Sequence, residues 1–304
     1  MRILVTGGTV FASRYTAEYF ACKDYEVYVL NRGSRPQSEG IKLIKCDRHD
    51  LGNVLKHIEF DAVIDVTAYN ENDISTLTDG LGSYGCYIMV SSSAVYPETN
   101  PQPFTEEQTC GVNVHWGDYG INKLMAEKLL LKKFPGAYII RPPYLYGKMN
   151  NLYREAFVFE CAEKGLPFYV PNDGKMPLQF FDIEDMCRFI EIIIHKKPIQ
   201  HIFNVGNPQT VTVSEWVKLC CAAAGSRADI RNAPDNAEIR SYFPFRDYSY
   251  FLDVSNQLSL MPDVKVLEKG LAQSYEWYRH NKDLIIRKDY LEYIRKNRWN
   301  EAQL

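Results

Sequence analysis

The stretch RILVTGGTVFASRY, residues 2–15, decides the fold class of this chain. Its first part is a short apolar run that predicts a buried strand, and the two glycines at positions 7 and 8 predict a tight turn directly after it. The segment SRYTAEYFACK, residues 13–23, predicts a helix. A strand, a glycine turn and a helix in this order are typical of the first unit of a parallel α/β sheet.

The same alternation continues through the first two-thirds of the chain. Runs rich in Val, Ile and Tyr predict strands at residues 2–7, 26–32, 41–47, 61–67, 86–93 and 137–143. Several of these runs are apolar almost throughout, as strands buried on both faces of a parallel sheet are. Helices are predicted between them, including one at residues 120–134. We therefore predict an α/β fold, a doubly wound parallel sheet of the Rossmann type with a smaller C-terminal α/β domain.

The pattern changes after Gly147. A helix at about 151–164 is followed by a loop punctuated by Gly and Pro, which leads into a strand and another helix. A further strand is predicted at 201–207 and a helix at 212–225. The region 226–265 is irregular and carries many aromatic residues and arginines. We predict a nucleotide-binding domain at residues 1–147, to which a segment at about 176–206 returns. Residues 148–304 form a smaller, partly interleaved domain that binds the substrate.

Composition limits the class of protein. An apolar content of 46% with 24% charged residues is that of a soluble globular protein. The net charge of −3 gives no basic surplus, which disfavours nucleic acid as a partner. No apolar run reaches the length of a membrane span or a signal peptide. The eight cysteines are scattered and lack zinc-ligand spacing, so we expect reduced cysteines, no metal site and a cytoplasmic location.

The glycine turn has the spacing of a dinucleotide-binding loop. In such loops the first glycine makes the turn, the second lets the backbone approach the pyrophosphate, and the third allows close packing of helix on strand. Gly7 fills the first place with Gly8 beside it, whereas Val10 and Ser13 occupy the other two. Ser13 is small, but the β-branched side chain of Val10 crowds a phosphate. The alternative is a turn that binds no ligand, although a helix N-terminus still offers free N–H groups to an anion.

The end of the second strand bears on the choice of cofactor. An acidic residue there binds the ribose hydroxyls of NAD, but this chain has Asn31, with Arg32 and Arg35 close by. Guanidinium groups bind a 2′-phosphate through paired hydrogen bonds, so the pattern favours NADP over NAD. A basic loop that is merely solvated is the alternative.

Tyr119 and Lys123 lie at positions i and i+4 of the predicted helix and therefore on one face of it. The spacing alone carries no weight, because it recurs at three other places in the chain. Context sets this pair apart. The helix that carries the pair follows the strand that ends in VSSSAVYP, and Tyr119 lies 27 residues after Ser92. Because ligands bind at the carboxyl ends of parallel strands, we expect Ser92 and the start of this helix to face one crevice.

These motifs, taken together, resemble a known family. The segments TGGT, CDRHD, VSSSAVYP, YGINKLMAE, IIRPPYLYG, LQFFDIEDM and FNVG follow the order found in extended short-chain dehydrogenases/reductases, the NAD-dependent epimerase/dehydratase family. The resemblance runs from Met1 to about Gly206 and more loosely to residue 278. The turn TGGTVFAS looks like an atypical branch with an altered glycine motif. That branch includes sugar-nucleotide epimerase-like proteins and chloroplast stem-loop RNA-binding proteins.

The resemblance implies roles for individual residues. Tyr119 is the expected acid/base, Lys123 its cationic partner, and Ser92 the hydroxyl that binds the reacting oxygen. The resemblance, the glycine turn and the basic loop together give the residues expected to bind the cofactor. They are Gly7, Gly8, Thr9, Val10, Phe11, Asn31, Arg32, Arg35, Asp47, Arg48, Thr67, Ala68, Ser91 and Pro142. The candidate substrate residues are Ser93, Tyr144, Arg231 and Arg246, with Arg154 and Arg240 as further cations for a diphosphate.

The expected function is that of an NAD(P)-dependent nucleotide-sugar epimerase or related oxidoreductase. Dehydration is disfavoured, because Ser93 and Ala94 stand where the dehydratases of the family carry Asp-Glu. The resemblance also implies a homodimer formed through the helix at residues 120–134. Two alternatives stay open. One is an NADPH-dependent reductase of a non-nucleotide carbonyl compound, and the other is a catalytically inactive member that binds RNA or a nucleotide.

Overall fold

Short strands and helices alternate along the chain in the computed structural model, which describes residues 1–297 and Trp299. The strands are β1 (Arg2–Thr6), β2 (Glu26–Asn31), β3 (Lys42–Lys45), β4 (Phe60–Asp65), β5 (Tyr84–Val90), β6 (Tyr138–Arg141), β7 (Tyr144–Tyr146), β8 (Phe168–Val170), β9 (Pro177–Leu178), β10 (Phe180–Asp182), β11 (Ile202–Asn204), β12 (Val211–Thr212) and β13 (Ile230–Asn232). The α-helices are α1 (Phe11–Ala21), α2 (Glu71–Gly80), α3 (Asp118–Lys133), α4 (Glu155–Lys164), α5 (Ile183–Lys196), α6 (Val213–Ala223), α7 (Ile239–Tyr242), α8 (Ser255–Leu260), α9 (Leu267–His280) and α10 (Tyr290–Lys296). Short 3₁₀ turns occur at Ser93–Val95, Asn172–Gly174 and Lys282–Leu284.

Seven of the strands form one sheet in the order β11-β6-β5-β4-β1-β2-β3. All of its neighbouring pairs are parallel; for example, Val5 on β1 is in register with Val29 on β2 and Ile64 on β4. The chain proceeds outward from β1 to β3 and then returns to the other side of β1 with β4. The strand order therefore reverses beside β1, and a crevice opens there at the carboxyl ends of the strands.

Helices cover both faces of this sheet. Residues of α1 and α5, among them Phe20 and Ile190, pack against one face with Val5. Residues of α2 and α3, among them Leu77 and Leu130, pack against the other face together with Leu4. Alternate residues of β1 thus face opposite cores, as expected for a strand buried on both sides. The predicted doubly wound Rossmann fold is confirmed.

The chain divides into two compact units. The first contains Met1–Leu145, Phe180–Pro208 and Phe251–Lys265, and it holds the whole seven-stranded sheet. The second contains Tyr146–Gln179, Gln209–Tyr250 and the described part of Val266–Leu304. Within the second unit, β8 pairs with β13 and β9 with β12, while α6 packs against α4 and α9. The domain boundaries given above, at residues 147 and about 176–206, stay a prediction.

The helices described at residues 1–297 are all too short or too polar to cross a membrane.

Candidate active site

A cavity of about 300 Å³ lies at the carboxyl ends of β1, β2, β3 and β4 in the first unit. It brings together six of the residues predicted to bind a cofactor, namely Gly7, Asn31, Arg32, Asp47, Arg48 and Thr67. The other residues lining it are Thr6, Leu30, Cys46, His49, Tyr69 and Asp73.

The glycine turn forms one side of this cavity. Gly7 and Gly8 have φ values of +89° and +86°, a region that residues with a Cβ seldom adopt. A Cβ at Gly7 would lie 2.8 Å from Ser13 Oγ, and one at Gly8 would overlap the side chain of Val29. The turn therefore packs directly on the start of α1 and on β2. Asn31 Nδ2 also donates to Gly7 O at 2.6 Å, which fixes the turn to the end of β2.

Val10 is the residue that precedes α1. Its φ of −139° is an extended conformation that suits a β-branched residue, so the backbone does not require glycine at this position. The side chain of Val10 has no acceptor with which to cap the first N–H groups of α1. The neighbouring Phe11 adopts a φ of +31°. The first N–H groups of α1 therefore receive no cap from the side chain of Val10, and they are suited to bind an anion.

The basic loop after β2 is held by Asn31, whose Oδ1 accepts a hydrogen bond from Gly33 N at 2.8 Å. Arg32 and Arg35 are both exposed. Within the part of the chain that the structure describes, neither guanidinium forms an ion pair with a carboxylate. Arg32 lines the cavity, and Arg35 follows it three residues later on the same loop.

A buried ion pair lies beneath the cavity. Arg48 Nη2 lies 3.0 Å from Asp65 Oδ2, and Arg48 Nη1 donates to Thr67 Oγ1 at 3.0 Å. Tyr87 and Thr6 donate their hydroxyls to the same Asp65 carboxylate at 2.6 and 2.7 Å. Burial alone would raise the pKa of Asp65, but the Arg48 guanidinium and these hydrogen bonds outweigh it, and the pKa falls below its ordinary value.

Arg48 is among the residues predicted from the sequence to bind the cofactor, whereas Asp65 and Tyr87 are not. A signal was present, because Asp65 interrupts the mostly apolar run DAVIDVT, and a carboxylate in a buried strand needs a partner. Asp73, which also lines the cavity, was missed as well. It belongs to the capping box of α2 with Asn70, and its backbone carbonyl also accepts from Arg48 Nη2 at 2.7 Å.

Lys123 lies on α3 at the carboxyl ends of β4 and β5. Its Nζ donates to Ala68 O at 2.6 Å and to Val90 O at 2.9 Å, and the side chain is almost fully buried. Burial lowers the pKa of Lys123 to about 8, although nearby carboxylates oppose the shift. The ammonium form therefore still dominates at neutral pH.

Ser92 and Tyr119 approach the same edge from two elements. Ser93 N donates to Pro142 O at 3.0 Å, so the serine segment runs beside the proline segment after β6. Ser92 precedes the 3₁₀ turn and its Oγ accepts from Ala94 N at 3.2 Å. Tyr119 lies in the first turn of α3, with its side chain 40% exposed.

Gly120, the residue after Tyr119, brings α3 close to this turn. A Cβ at Gly120 would collide with the carbonyl oxygen of Ala94. The first turn of α3 therefore packs on the backbone of the Ser93–Val95 turn, and Tyr119 and Ser92 flank that contact. Their predicted catalytic roles stay predictions.

Ser91 is buried, and its hydroxyl donates to the Glu127 carboxylate. Its side chain is engaged inside the first unit and its N–H donates to Ile140 O at 2.8 Å, so its predicted cofactor contact stays a prediction. Ser93, a predicted substrate residue, is also buried.

The remaining candidate substrate residues lie in both units. Tyr144, in the first unit, is buried with its ring centre 6.1 Å from that of Trp116. In the second unit, Arg231 forms an ion pair with Asp229 at 2.9 Å, and Arg246 is exposed. Their substrate roles stay predictions.

The parallel sheet, its reversal beside β1 and the glycine turn at the cavity define a doubly wound α/β protein of the Rossmann type. The model of the NAD dependent epimerase/dehydratase family matches residues 3–206. The chain belongs to this family, which confirms the resemblance and the enzyme class predicted from the sequence.

Two curated relatives cover most of the chain. The chloroplast stem-loop binding protein of 41 kDa b from Arabidopsis thaliana is 27% identical over 301 residues, which span 90% of this chain and 78% of that protein. A trifunctional UDP-glucose 4,6-dehydratase/UDP-4-keto-6-deoxy-D-glucose 3,5-epimerase/UDP-4-keto-L-rhamnose-reductase from the same plant is 24% identical over 92% of this chain. The chain spans about half, 47%, of the length of that second relative.

Solved structures share the fold. The dTDP-glucose 4,6-dehydratase of Bacillus anthracis, in complex with NAD, aligns with a TM-score of 0.76 at 18% identity, covering 94% of this chain and 98% of that one. The UDP-glucose 4-epimerase of Thermotoga maritima, with UDP-glucose, aligns with a TM-score of 0.75 at 20% identity, covering 93% of this chain and 100% of that one.

Proposed function

We propose that the chain is an NAD(P)-dependent epimerase or oxidoreductase that acts on a carbinol of a nucleotide sugar. The observation that carries this proposal is the position of Lys123. Its buried ammonium lies at the carboxyl ends of β4 and β5, one helical turn from Tyr119 and on the helix that packs on the turn after Ser92. This is where a parallel α/β sheet binds its ligands.

The described residues fit a dinucleotide. Gly7 and Gly8 let the turn pack tightly on Ser13 and Val29, and the N-terminus of α1 that follows suits a pyrophosphate. Asp47 and Thr67 line the cavity and would hold the adenosine half, with Pro142 beside the nicotinamide. When bound, the nicotinamide would supply the acceptor or donor of hydride.

The chain's own residues would handle the proton. Tyrosine has a pKa of about 10 and is a weak base at neutral pH unless a cation stabilises its phenolate. The Lys123 ammonium supplies that cation. Tyr119 would then take a proton from the sugar hydroxyl, while Ser92 donates a hydrogen bond to the oxygen that becomes a carbonyl.

The basic loop supports a preference for NADP. Arg32 and Arg35 are exposed near the end of β2, where Asn31 replaces the carboxylate that would repel a phosphate. A 2′-phosphate on the adenosine ribose would pair with both guanidinium groups.

The substrate class follows from the relatives and from the acid/base groups present. Dehydratases and epimerases of nucleotide sugars are among the proteins that this chain resembles. Ser93 and Ala94 are both buried and offer no carboxyl group to expel water. We therefore favour epimerisation, or reduction of a ketosugar, over dehydration. A cytoplasmic homodimer formed through α3 is part of the same proposal.

A thermal-shift screen with NAD, NADP and a panel of nucleotide sugars tests this function. A ligand present at 100 times its Kd adds about 2.7 kcal/mol of stability. Tyr119→Phe should abolish turnover of any sugar found in this way and leave cofactor binding nearly unchanged. Retention of the cofactor through purification would indicate an epimerase, and free exchange of NADPH a reductase. Undiminished turnover by Tyr119→Phe would refute the role of Tyr119.

One observation favours a second candidate, a binding protein for structured RNA. The relative that covers 90% of the chain at 27% identity is named a stem-loop binding protein. The net charge of −3 opposes it. Filter binding of stem-loop RNA at 50 and 200 mM salt, with and without NADP, separates the two. Salt-sensitive binding that ignores the cofactor supports the RNA-binding candidate.

A further inference from the structure

The ammonium of Lys123 is enclosed on three sides. Two sides are the carbonyl oxygens of Ala68 and Val90, which accept its hydrogen bonds. The third is the ring of Tyr69, whose centre lies 4.8 Å from Lys123 Nζ. An ammonium at this distance from an aromatic ring is attracted by the electron-rich face of the ring.

Tyr69 contacts this ammonium and also lines the cavity, whereas Lys123 does not line it. Tyr69 is 53% exposed, so one part of its side chain faces solvent. Its backbone is fixed, because Tyr69 N donates to Asp73 Oδ2 at 2.7 Å and Asp73 belongs to the capping box of α2. The start of α2 thus sets the position of the ring relative to Lys123.

We propose that Tyr69 is a positioning residue that holds Lys123 against the carbonyls of Ala68 and Val90 and shields its ammonium from the water of the cavity. The phenolic oxygen plays no part in this role, since the ring face makes the contact. The significance of the residue for catalysis rests on the proposed function, because it acts through Lys123.

The charges around Lys123 show why this shield matters. Asp65 on β4, Asp73 on α2 and Glu127 on α3 favour its ammonium form, whereas Arg48 disfavours it. Burial is the largest influence and lowers the pKa of Lys123 to about 8. Removing the ring would end its attraction for the ammonium, which lowers the pKa, and would admit water, which raises it. Because burial is the largest influence and the charged neighbours would stay in place, we expect the pKa to rise towards that of a free lysine.

The test is a pH titration of Lys123 by NMR in protein labelled with ¹³C at the lysine ε carbon. Its signal is identified by its loss in Lys123→Met. Tyr69→Ala should increase the ratio of ammonium to amine at pH 8–9 at least tenfold, which corresponds to one pKa unit. Tyr69→Phe, the matched control, keeps the ring face and should titrate like the unmodified chain. A Tyr69→Ala titration that coincides with that of the unmodified chain would overturn the proposal.

Chemical labelling gives a second readout that needs no substrate. An amine-acylating reagent should modify the amine form of Lys123 faster in Tyr69→Ala than in Tyr69→Phe, once each rate, quantified by mass spectrometry, is divided by the amine fraction that the NMR titration gives. Equal rates would also overturn the proposal. Neither measurement depends on turnover. If the NMR and labelling results appear and no sugar is converted, the proposed function fails while the role of Tyr69 stands.

Discussion

Arg141 Nη2 lies 2.5 Å from Glu127 Oε2, and both side chains are buried. Arg141 ends β6, while Glu127 follows Lys123 by one turn of α3. The pair therefore ties the helix that carries Lys123 to the sheet. Ser91 donates to the same carboxylate and Tyr96 OH accepts from Arg141 Nη1 at 2.8 Å, so both charges have further hydrogen-bond partners.

Removing either Glu127 or Arg141 alone should lower the stability of the folded chain. Glu127→Leu or Arg141→Met leaves a buried charge without its partner and should lower the free energy of unfolding by about 3–5 kcal/mol. The double variant should lose much less than the sum of the two single losses, because it buries no unpaired charge. Urea unfolding of all four proteins measures the coupling. Additive losses would show that the two groups do not depend on each other.

Gly120→Ala tests the close approach of α3 to the Ser93–Val95 turn. Its methyl group would collide with Ala94 O, so the first turn of α3 must shift and move Tyr119 away from Ser92. We expect turnover to fall about 100-fold, as misplaced reacting groups do, while NADP affinity changes little.

Gly136→Ala is the matched control for this change. A Cβ there would meet no atom within 4 Å, and its φ lies outside the left-handed region. It should leave turnover unchanged. Equal activity of the two variants would refute the positioning role of Gly120.

The fold could be read from the sequence because its signals are local. The apolar run and glycines at residues 2–8 define β1 and its turn, and the predicted strands at 26–32 and 61–67 differ from β2 and β4 by at most two residues at either end. The start of α1 was predicted two residues late, at Ser13 instead of Phe11, since Val10 and Phe11 give no capping signal.

The site could be read only in part, because its decisive contacts join distant segments. The ion pair of Arg48 with Asp65 links the loop after β3 to the end of β4, and the ring of Tyr69 reaches Lys123 on α3. Neither pairing leaves a periodic pattern. The direction of the Ser91 hydroxyl, towards Glu127, likewise depends on how α3 packs on the sheet.

Cofactor choice should depend on the basic loop. Arg32→Ala and Arg35→Ala should each weaken NADP binding about tenfold, or about 1.4 kcal/mol, and change NAD binding less than twofold. Isothermal titration with both cofactors measures this. Arg227→Ala removes the same charge from an exposed position in the second unit and is the control. A similar loss for NAD and NADP would mean that the loop does not read the 2′-phosphate.

Lys123 should make the stability of the protein depend on pH in the alkaline range. Its pKa is about 8 in the folded chain, against the ordinary 10.5. Below pH 8 both the folded and the unfolded chain hold the proton, and the full cost of burying the ammonium is present. Between pH 8 and 10.5 the unfolded chain binds more protons than the folded one, so stability rises with pH.

Lys123→Met isolates this effect, because every other titrating group is common to both proteins. The free energy of unfolding of the unmodified chain, minus that of Lys123→Met, should increase on the order of 3 kcal/mol between pH 8 and 10.5. Urea unfolding at half-unit intervals of pH measures it. In the Tyr69→Ala background the increase should shrink, since water reaches the ammonium in the folded chain. A difference that stays flat across this range would show that Lys123 is not desolvated, and the shield assigned to Tyr69 would then have nothing to protect.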